Sequence, residues 1–343
     1  MLLTKGVDSK GLTGLMKVAI TGATGLVGAN LAEACLERGW SVRATRRRTS
    51  TTAHLEALDI EWVEAPLSDQ EALTAAFEGC DAVFHCAAAV SILKVAPDWM
   101  VDTNVQGTTR VLHAVPRGAR LVHCSSTVAV GLSTDGEPSN EDADWNFDAF
   151  GLDDGYSLTK RESERRVVHA VHAGQLDAVI VNPGFMFGPY DSKPSSGKMI
   201  VDVVKGAVPM YSTGRNNFVN VRDVVQGMLL ALDKGKTGER YILGNENLSY
   251  KQVFDRIAAV AGAKSPAIKA PFWLARPVGW AGDLQYAVTG KEPLLTSHAL
   301  RWGYCERFVF SSDKARRELG YTPTPIEDGI QAALDWFRGT GRL

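Results

Sequence analysis

Long apolar runs are missing from this chain: no stretch approaches the roughly 20 residues that a membrane-spanning helix requires. The opening segment MLLTKGVDSKGLTGLMK has no continuous apolar core of the signal-peptide kind either. Nothing addresses the protein outside the cytoplasm, and no membrane partner is expected. Cysteine is scarce, with Cys35, Cys80, Cys86, Cys124 and Cys305 forming no CxxC pair and no zinc-like spacing. They read as reduced, small apolar residues, which excludes a disulfide scaffold. Charge of one sign is lacking as well. A formal net charge of -2 gives no general attraction for polyanions, so nucleic acid is not an expected partner. The histidines show no metal spacing. His169 and His172 stand three apart, but they follow the charged run RESERR and read as a solvated helix end. No metal is expected, and there is no internal repeat.

What is present is a hydrophobic share of 45%, enough for a sizeable core. Short apolar runs read as strands: KVAIT (17–21), SVRAT (41–45), IEWVE (60–64), AVFHCAA (82–88), RLVHCSS (120–126) and AVIVN (178–182). Segments 26–38, 69–78 and 98–115 between them carry helical apolar spacing. Strand and helix in alternation predict an α/β fold with a doubly wound parallel sheet covered on both faces. Beyond residue 182, Pro and Gly recur through 183–214 and 262–293 and the alternation is lost. ERYIL (239–243) is the one further run expected to return to the sheet. The expected division is a flexible extension over 1–15, a nucleotide-binding domain over 16–182 plus 219–243, and a smaller C-terminal substrate lobe over 183–218 plus 244–343.

The first strand runs directly into GATGLVG, where Gly22, Gly25 and Gly28 precede and open a helix. Gly22 permits a tight turn, Gly25 lets backbone approach a pyrophosphate, and Gly28 lets the helix pack closely on the sheet. With Thr24, Leu26 and Val27 they form a phosphate cradle whose helix N-terminus presents free N–H groups to the anion. The sheet is therefore of the Rossmann type. A cofactor preference can be read after the second strand. NAD sites usually carry an acid there for the ribose 2′-hydroxyl. Arg46, Arg47 and Arg48 stand there instead, with Arg43 upstream. Guanidinium groups suit a 2′-phosphate, so NADP(H) is favoured over NAD(H).

The fifth strand ends in Cys124-Ser125-Ser126-Thr127, and Tyr156-Ser157-Leu158-Thr159-Lys160 follows at a helix start. Tyr156 and Lys160 lie on one helical face. A free phenol has a pKa of about 10, and a neighbouring ammonium lowers it. The other tyrosines, at 190, 211, 241, 250, 286, 304 and 321, all lack Lys four residues on.

Together GATGLVG, HCAA (85–88), Asn104, SST (125–127), YSLTK (156–160) and NPGFMFGP (182–189) resemble the extended, or atypical, short-chain dehydrogenase/reductase superfamily. VNVRDVVQGMLLAL (219–232) and SSDKARRELGYTP (311–323) continue the resemblance, which runs from about Lys17 to the C-terminus. It implies that Ser126, Tyr156 and Lys160 are the catalytic set, with Lys160 also on the nicotinamide ribose. It implies that Ala87 and Ala88 line the cofactor, that Asn104 orders the central helix, and that Pro183 to Phe185 lie against the nicotinamide. Where many members have Asp-Leu for the adenine, this chain has Ala65-Pro66-Leu67, leaving Leu67 and backbone to do that work. The helices containing 98–115 and 156–173 are where such proteins often dimerise, so a homodimer stands as an expectation.

Two subgroups compete. One resembles dihydroflavonol reductase-like enzymes, which reduce carbonyl compounds with NADPH. The other resembles nucleoside-diphosphate-sugar epimerases and dehydratases, which retain the cofactor. The sugar-nucleotide pattern R-x-x-N-x-x-G-P, aligned on Gly188-Pro189, meets Asn182 and Phe185 instead of its Arg and Asn. A second expected Arg is Asn216, although Arg215 adjoins it and Arg301 is a further substitute. Trp99, Trp145, Phe147, Phe185, Met186 and Phe187 are candidates for an apolar pocket, or for core. The reading favoured is a small-molecule carbonyl reductase in which Tyr156 gives its proton to the substrate oxygen. A non-catalytic dinucleotide-binding sensor is the third possibility, disfavoured because Tyr156 and Lys160 are both kept.

Overall fold

The computed structural model describes residues 16–193 and 195–343. The expected extension over 1–15 lies outside the described residues. Strands occur in chain order as β1 (Lys17–Thr21), β2 (Ser41–Arg46), β3 (Ile60–Glu64), β4 (Ala82–His85), β5 (Arg120–Cys124) and β6 (Asp177–Pro183). They continue with β7 (Phe185–Phe187), β8 (Met210–Tyr211), β9 (Arg215–Asn220), β10 (Arg240–Leu243), β11 (Glu246–Ser249) and β12 (Ile268–Lys269). Seven form the central sheet in the order β10-β6-β5-β4-β1-β2-β3, every pair parallel. Strand order reverses between β1 and β4, and their register there pairs Thr21 with His85. A crevice at such a reversal is where ligands bind in open α/β sheets.

The strands read as continuous apolar runs because both faces are covered. Val18 and Ile20 pack with Ala29 and Leu31 of the helix Leu26–Glu37 and with Val224 and Met228 of the helix Val221–Lys234. Ala19, pointing the other way, joins Leu73, Phe77, Val111 and Val167 from the helices on the opposite face. The two-residue period of a strand sends neighbours to opposite cores. Burial of one such side chain contributes about 1.5–3 kcal/mol.

Two expected boundaries shorten. The runs at 82–88 and 120–126 leave the ladder at His85 and Cys124. Residues beyond them turn to local partners, as when Ala87 N donates to Thr21 Oγ1 at 3.2 Å. The helix expected over 98–115 is α-helical at Asp98–Val101 and Gly107–Ala114 but widens to a π turn at Asp102–Gln106. Asn104 sits in that turn. Its side chain accepts from Ala89 N (2.7 Å) and donates to Ala89 O (2.9 Å), while its carbonyl accepts from Ser163 Oγ (2.6 Å). Such bulges frequently mark functional sites.

After β6 the chain builds a three-stranded sheet, β11-β9-β7, and the pair β12-β8. Phe187, Ile200, Phe218, Ile257, Ile330 and Phe337 form their own apolar cluster. Among the described residues no helix is long and apolar enough to cross a membrane.

One buried polar network binds β5, β6, β10 and the helix Gly155–His172. Glu164 Oε2 accepts from Ser125 Oγ at 2.6 Å and from Asn182 Nδ2 at 2.8 Å, and Oε1 accepts from Arg240 Nη1 at 3.1 Å. Glu164→Ala removes the acceptor of Ser125 Oγ and the charge partner of Arg240, which keeps the Glu141 carbonyl, so urea unfolding should show a loss of about 1–3 kcal/mol. A loss within error of zero contradicts a structural role for the network.

Candidate active site

The three glycines of the first turn serve three different needs. Gly22 has φ +74°, and a Cβ on it would lie 2.6 Å from Ala87 N. A Cβ on Gly28 would run into the carbonyl oxygen of Gly22, so that glycine sets the contact between helix and turn. On Gly25 a Cβ would meet only Gly22 O at 3.5 Å, so the space before it is open. The helix Leu26–Glu37 has no side-chain cap at Gly25 and no acid in its first turn. Its first N–H groups and positive dipole end are left to a ligand, the arrangement a pyrophosphate needs. Thr24, Leu26 and Val27 border this opening, none of them fully buried.

The arginines after β2 divide into two kinds. Arg43 is spent on Glu61 Oε1 (2.8 Å) and on the carbonyls of Ala76 and Glu78. Arg46 is half-buried and its Nε is buried without a partner. Arg47 and Arg48 are exposed beyond it. A buried guanidinium N–H left unpaired is costly unless a ligand satisfies it. Gly25's open space and Arg46's unpaired donor therefore fit a dinucleotide phosphate group. Leu67, after β3, packs on Gly107, and its carbonyl accepts from Arg110 Nη1 at 3.2 Å. Ala87 and Ala88 lie in the turn after β4, next to Gly22.

The helix Gly155–His172 is fixed at its start by a capping box. Asp154 Oδ1 accepts from Ser157 N at 2.7 Å, and Ser157 Oγ accepts from Asp154 N at 3.1 Å. Burial raises the Asp154 carboxyl to about 6. The helix then presents Tyr156, Lys160 and Glu164 at successive four-residue steps on one face. Ser126 opens the short 3-10 turn Thr127–Ala129, and Asn182 Nδ2 donates to its carbonyl at 3.0 Å. This brings the Ser126 hydroxyl against the Tyr156 phenol. Burial raises the phenol to about 12, with Ser126 pulling the other way.

The expected lowering of the phenol by Lys160 is not what this geometry gives. Lys160 Nζ donates to the Cys124 carbonyl at 2.8 Å, and burial lowers its own pKa. Burial is the largest influence on the phenol. Thr159, between the two, accepts from Asn104 Nδ2 at 3.0 Å, which joins the π turn to the helix Gly155–His172.

Other expected residues separate. Pro183 ends β6, buried. The Phe185 ring packs edge-on to Phe187 and Phe218, at 5.6 and 5.4 Å between centroids, so its bulk goes to the smaller core. Phe147 and Phe187 are fully buried, Trp145 stacks on Phe147, and Trp99 is exposed. For Phe147 and Phe187 the core reading prevails over the pocket reading, while Trp99 belongs to the surface. Conversely, the run RESERR is not uniformly solvated, because Ser163 and Glu164 are buried.

Two features had no usable signal in the sequence. His54 meets the Thr24 backbone, its Nε2 is buried without a partner, and burial lowers its pKa. A cavity of about 990 Å³ gathers Arg215, Arg276, Arg301 and Arg307 with Phe272 and Trp280. It borders Leu152 and Cys305, both of which pack in the cluster that holds Tyr156. Only chain folding brings such distant segments together.

With this geometry in hand, known proteins are informative. The model of the NAD dependent epimerase/dehydratase family matches residues 18–244. A Synechocystis sp. protein named, provisionally, as a dihydroflavonol 4-reductase is 33% identical over 329 residues, covering 94% of each chain. Sterol demethylase protein B of Methylococcus capsulatus is 35% identical, covering 96% of this chain and 100% of its own. Among solved structures, a nucleoside-diphosphate-sugar epimerase from Pseudomonas aeruginosa superimposes with a TM-score of 0.78 at 26% identity, covering 96% and 100%. The chain thus belongs to the NAD-dependent epimerase/dehydratase family, within the extended short-chain dehydrogenase/reductase superfamily of nicotinamide-dependent reductases, epimerases and dehydratases.

Proposed function

We propose that the protein is an NADP(H)-dependent oxidoreductase that reduces a ketone or aldehyde to an alcohol through Ser126, Tyr156 and Lys160. The observation that carries this reading is the Tyr156 phenol set against the Ser126 hydroxyl beyond the end of β5. Burial raises the phenol, so it is protonated near neutrality and holds a proton to give. When bound, the nicotinamide supplies the hydride. Ser126 donates to the carbonyl oxygen and orients it, and Tyr156 passes its proton to that oxygen as negative charge develops there. Lys160, tethered to the Cys124 carbonyl, offers the phenolate that remains a positive charge one helical turn away.

For the cofactor, the first turn takes the pyrophosphate and Arg46 to Arg48 take a 2′-phosphate. The unpaired Arg46 Nε favours NADP(H). Residues 16–182 with 219–243 then serve the dinucleotide, and 183–218 with 244–343 serve the substrate.

A second reading has a specific observation in its favour. Arg215, Arg276, Arg301 and Arg307 around one cavity suit an anionic substrate, as a nucleoside-diphosphate-sugar epimerase or dehydratase requires. Incubation with sugar nucleotides separates the two, since epimerisation consumes no NADPH.

Tyr156→Phe should lower NADPH-dependent carbonyl reduction by ~10²–10⁴-fold and leave the NADPH dissociation constant unchanged, read by turnover and by fluorescence titration. Normal turnover in that variant sinks the catalytic assignment. Arg46→Ala should weaken NADPH binding by roughly 10–100-fold, because it removes a charge-assisted contact to phosphate. NADH binding should stay unchanged, and an equal loss for both dinucleotides would count against the 2′-phosphate role. Gly25→Ala should weaken binding of both dinucleotides with little change in thermal stability, because the added Cβ meets open ligand space. Undiminished binding contradicts the cradle.

A further inference from the structure

Helices on a protein surface ordinarily turn apolar side chains inward and polar ones to water. The helix Phe272–Thr289 does the reverse. Its two buried residues are Gly279 and Gly282. A Cβ on Gly279 would lie 2.8 Å from Ser297 Cα, so the helix is drawn tightly onto segment 295–297 by having no side chains there. The bulk faces out instead. Trp273 is 71% exposed, Leu284 65% and Val288 76%, and Trp280 is exposed beside them. At ~100° per residue these four share one arc of the helix, which Leu274 and Val278 extend. Leu294, 94% exposed, continues the surface in the following loop. That loop is tied to segment 91–92, where Ser91 Oγ and Ile92 N donate to Glu292 Oε1 at 2.9 and 2.7 Å. A contiguous outward apolar face of this kind marks an interaction site.

Charge around the face identifies the occupant. Lys264, Lys269, Arg276 and Lys291 are exposed in the segment 264–291 that carries the helix, and Arg276 lies over the Trp280 ring at 4.8 Å. The one acid within residues 264–291, Asp283, accepts from Ser297 N at 3.1 Å. Tryptophan and aliphatic residues with exposed lysine and arginine in the same segment match a lipid interface, where rings sit at headgroup depth and cations meet anionic headgroups. A second copy docking on the same face by two-fold symmetry would bring the same four cations together.

We propose that the helix Phe272–Thr289, extended by Leu294, seats the protein peripherally on an anionic bilayer surface. This is a seat and not a crossing, since no helix among the described residues is long and apolar enough to span. It departs from the sequence-based expectation of no membrane partner, which rested on the lack of spanning runs alone. The same helix lines the large cavity through Phe272, Arg276 and Trp280, so the seat sets that cavity beside the lipid.

The test is flotation of the full chain with vesicles of phosphatidylcholine plus phosphatidylglycerol, and with phosphatidylcholine alone. The protein should float with the anionic vesicles and much less with the neutral ones, with a blue shift of tryptophan emission. The triple variant Trp273→Ser, Leu284→Ser, Val288→Ser changes no charge and removes no buried side chain. Its melting temperature and NADPH affinity should match the wild type, while its partition to anionic vesicles falls roughly tenfold or more. Wild type that stays unbound with both vesicle types overturns the proposal, and so does variant binding equal to wild type. A wild-type dimer that the triple substitution splits, with no flotation, assigns the face to a second copy and also overturns it. None of these readouts depends on turnover, so their failure is separate from failure of the proposed reaction.

Discussion

The site depends on one constraint, the docking of the helix Gly155–His172 onto the carboxyl ends of β5 and β6 through buried polar contacts. Lys160 reaches the Cys124 carbonyl, Glu164 takes Ser125 and Asn182, and Ser163 reaches Asn104. Each of these groups has lost its water, and an unpaired buried polar atom costs about 1–3 kcal/mol. Apolar packing tolerates small slides, whereas these contacts fix the helix in one register. That register decides where the Tyr156 phenol stands relative to Ser126. The capping box at Asp154 and the π turn at Asn104 serve the same end from either side.

Burial, the condition that makes this register strict, also sets the chemistry. Desolvation raises the Tyr156 phenol and lowers the Lys160 ammonium. His85 shows the same influence without a catalytic role. Burial lowers it to about 3, and its ring spans Thr21 at 2.7 Å and Thr108 at 3.1 Å as a neutral bridge between β1 and the central helix.

The sheet was legible in the sequence because strands buried on both faces leave continuous apolar runs, and because the glycine turn tells where the first of them ends. The placement of Tyr156 and Lys160 on one helical face, and of Ser126 just past a strand end, was legible because one helical turn and one strand end fix it locally. What long-range folding decides was not legible. Arg43 and Arg46 look alike in the sequence, yet Arg43 is consumed by Glu61 and Arg46 Nε is unpaired. Glu164 reads as part of a charged surface run until β6 and β10 supply its partners. Phe147 and Phe187 read equally as pocket or core, and only three-dimensional packing assigns them to core. The arginine cavity draws on segments from Ser133 to Val309, a distance no local pattern records.

The central claim, net transfer of hydride from NADPH to a carbonyl substrate, is tested most directly by isotope tracing with NADPH deuterated at the nicotinamide C4. Purified protein is incubated with mixed ketones and aldehydes, and the products are read by mass spectrometry. The account predicts deuterium on the carbinol carbon of an alcohol product, in step with NADP⁺ released. Unlabelled products with no NADPH consumed, alongside interconversion of a sugar nucleotide, would contradict it.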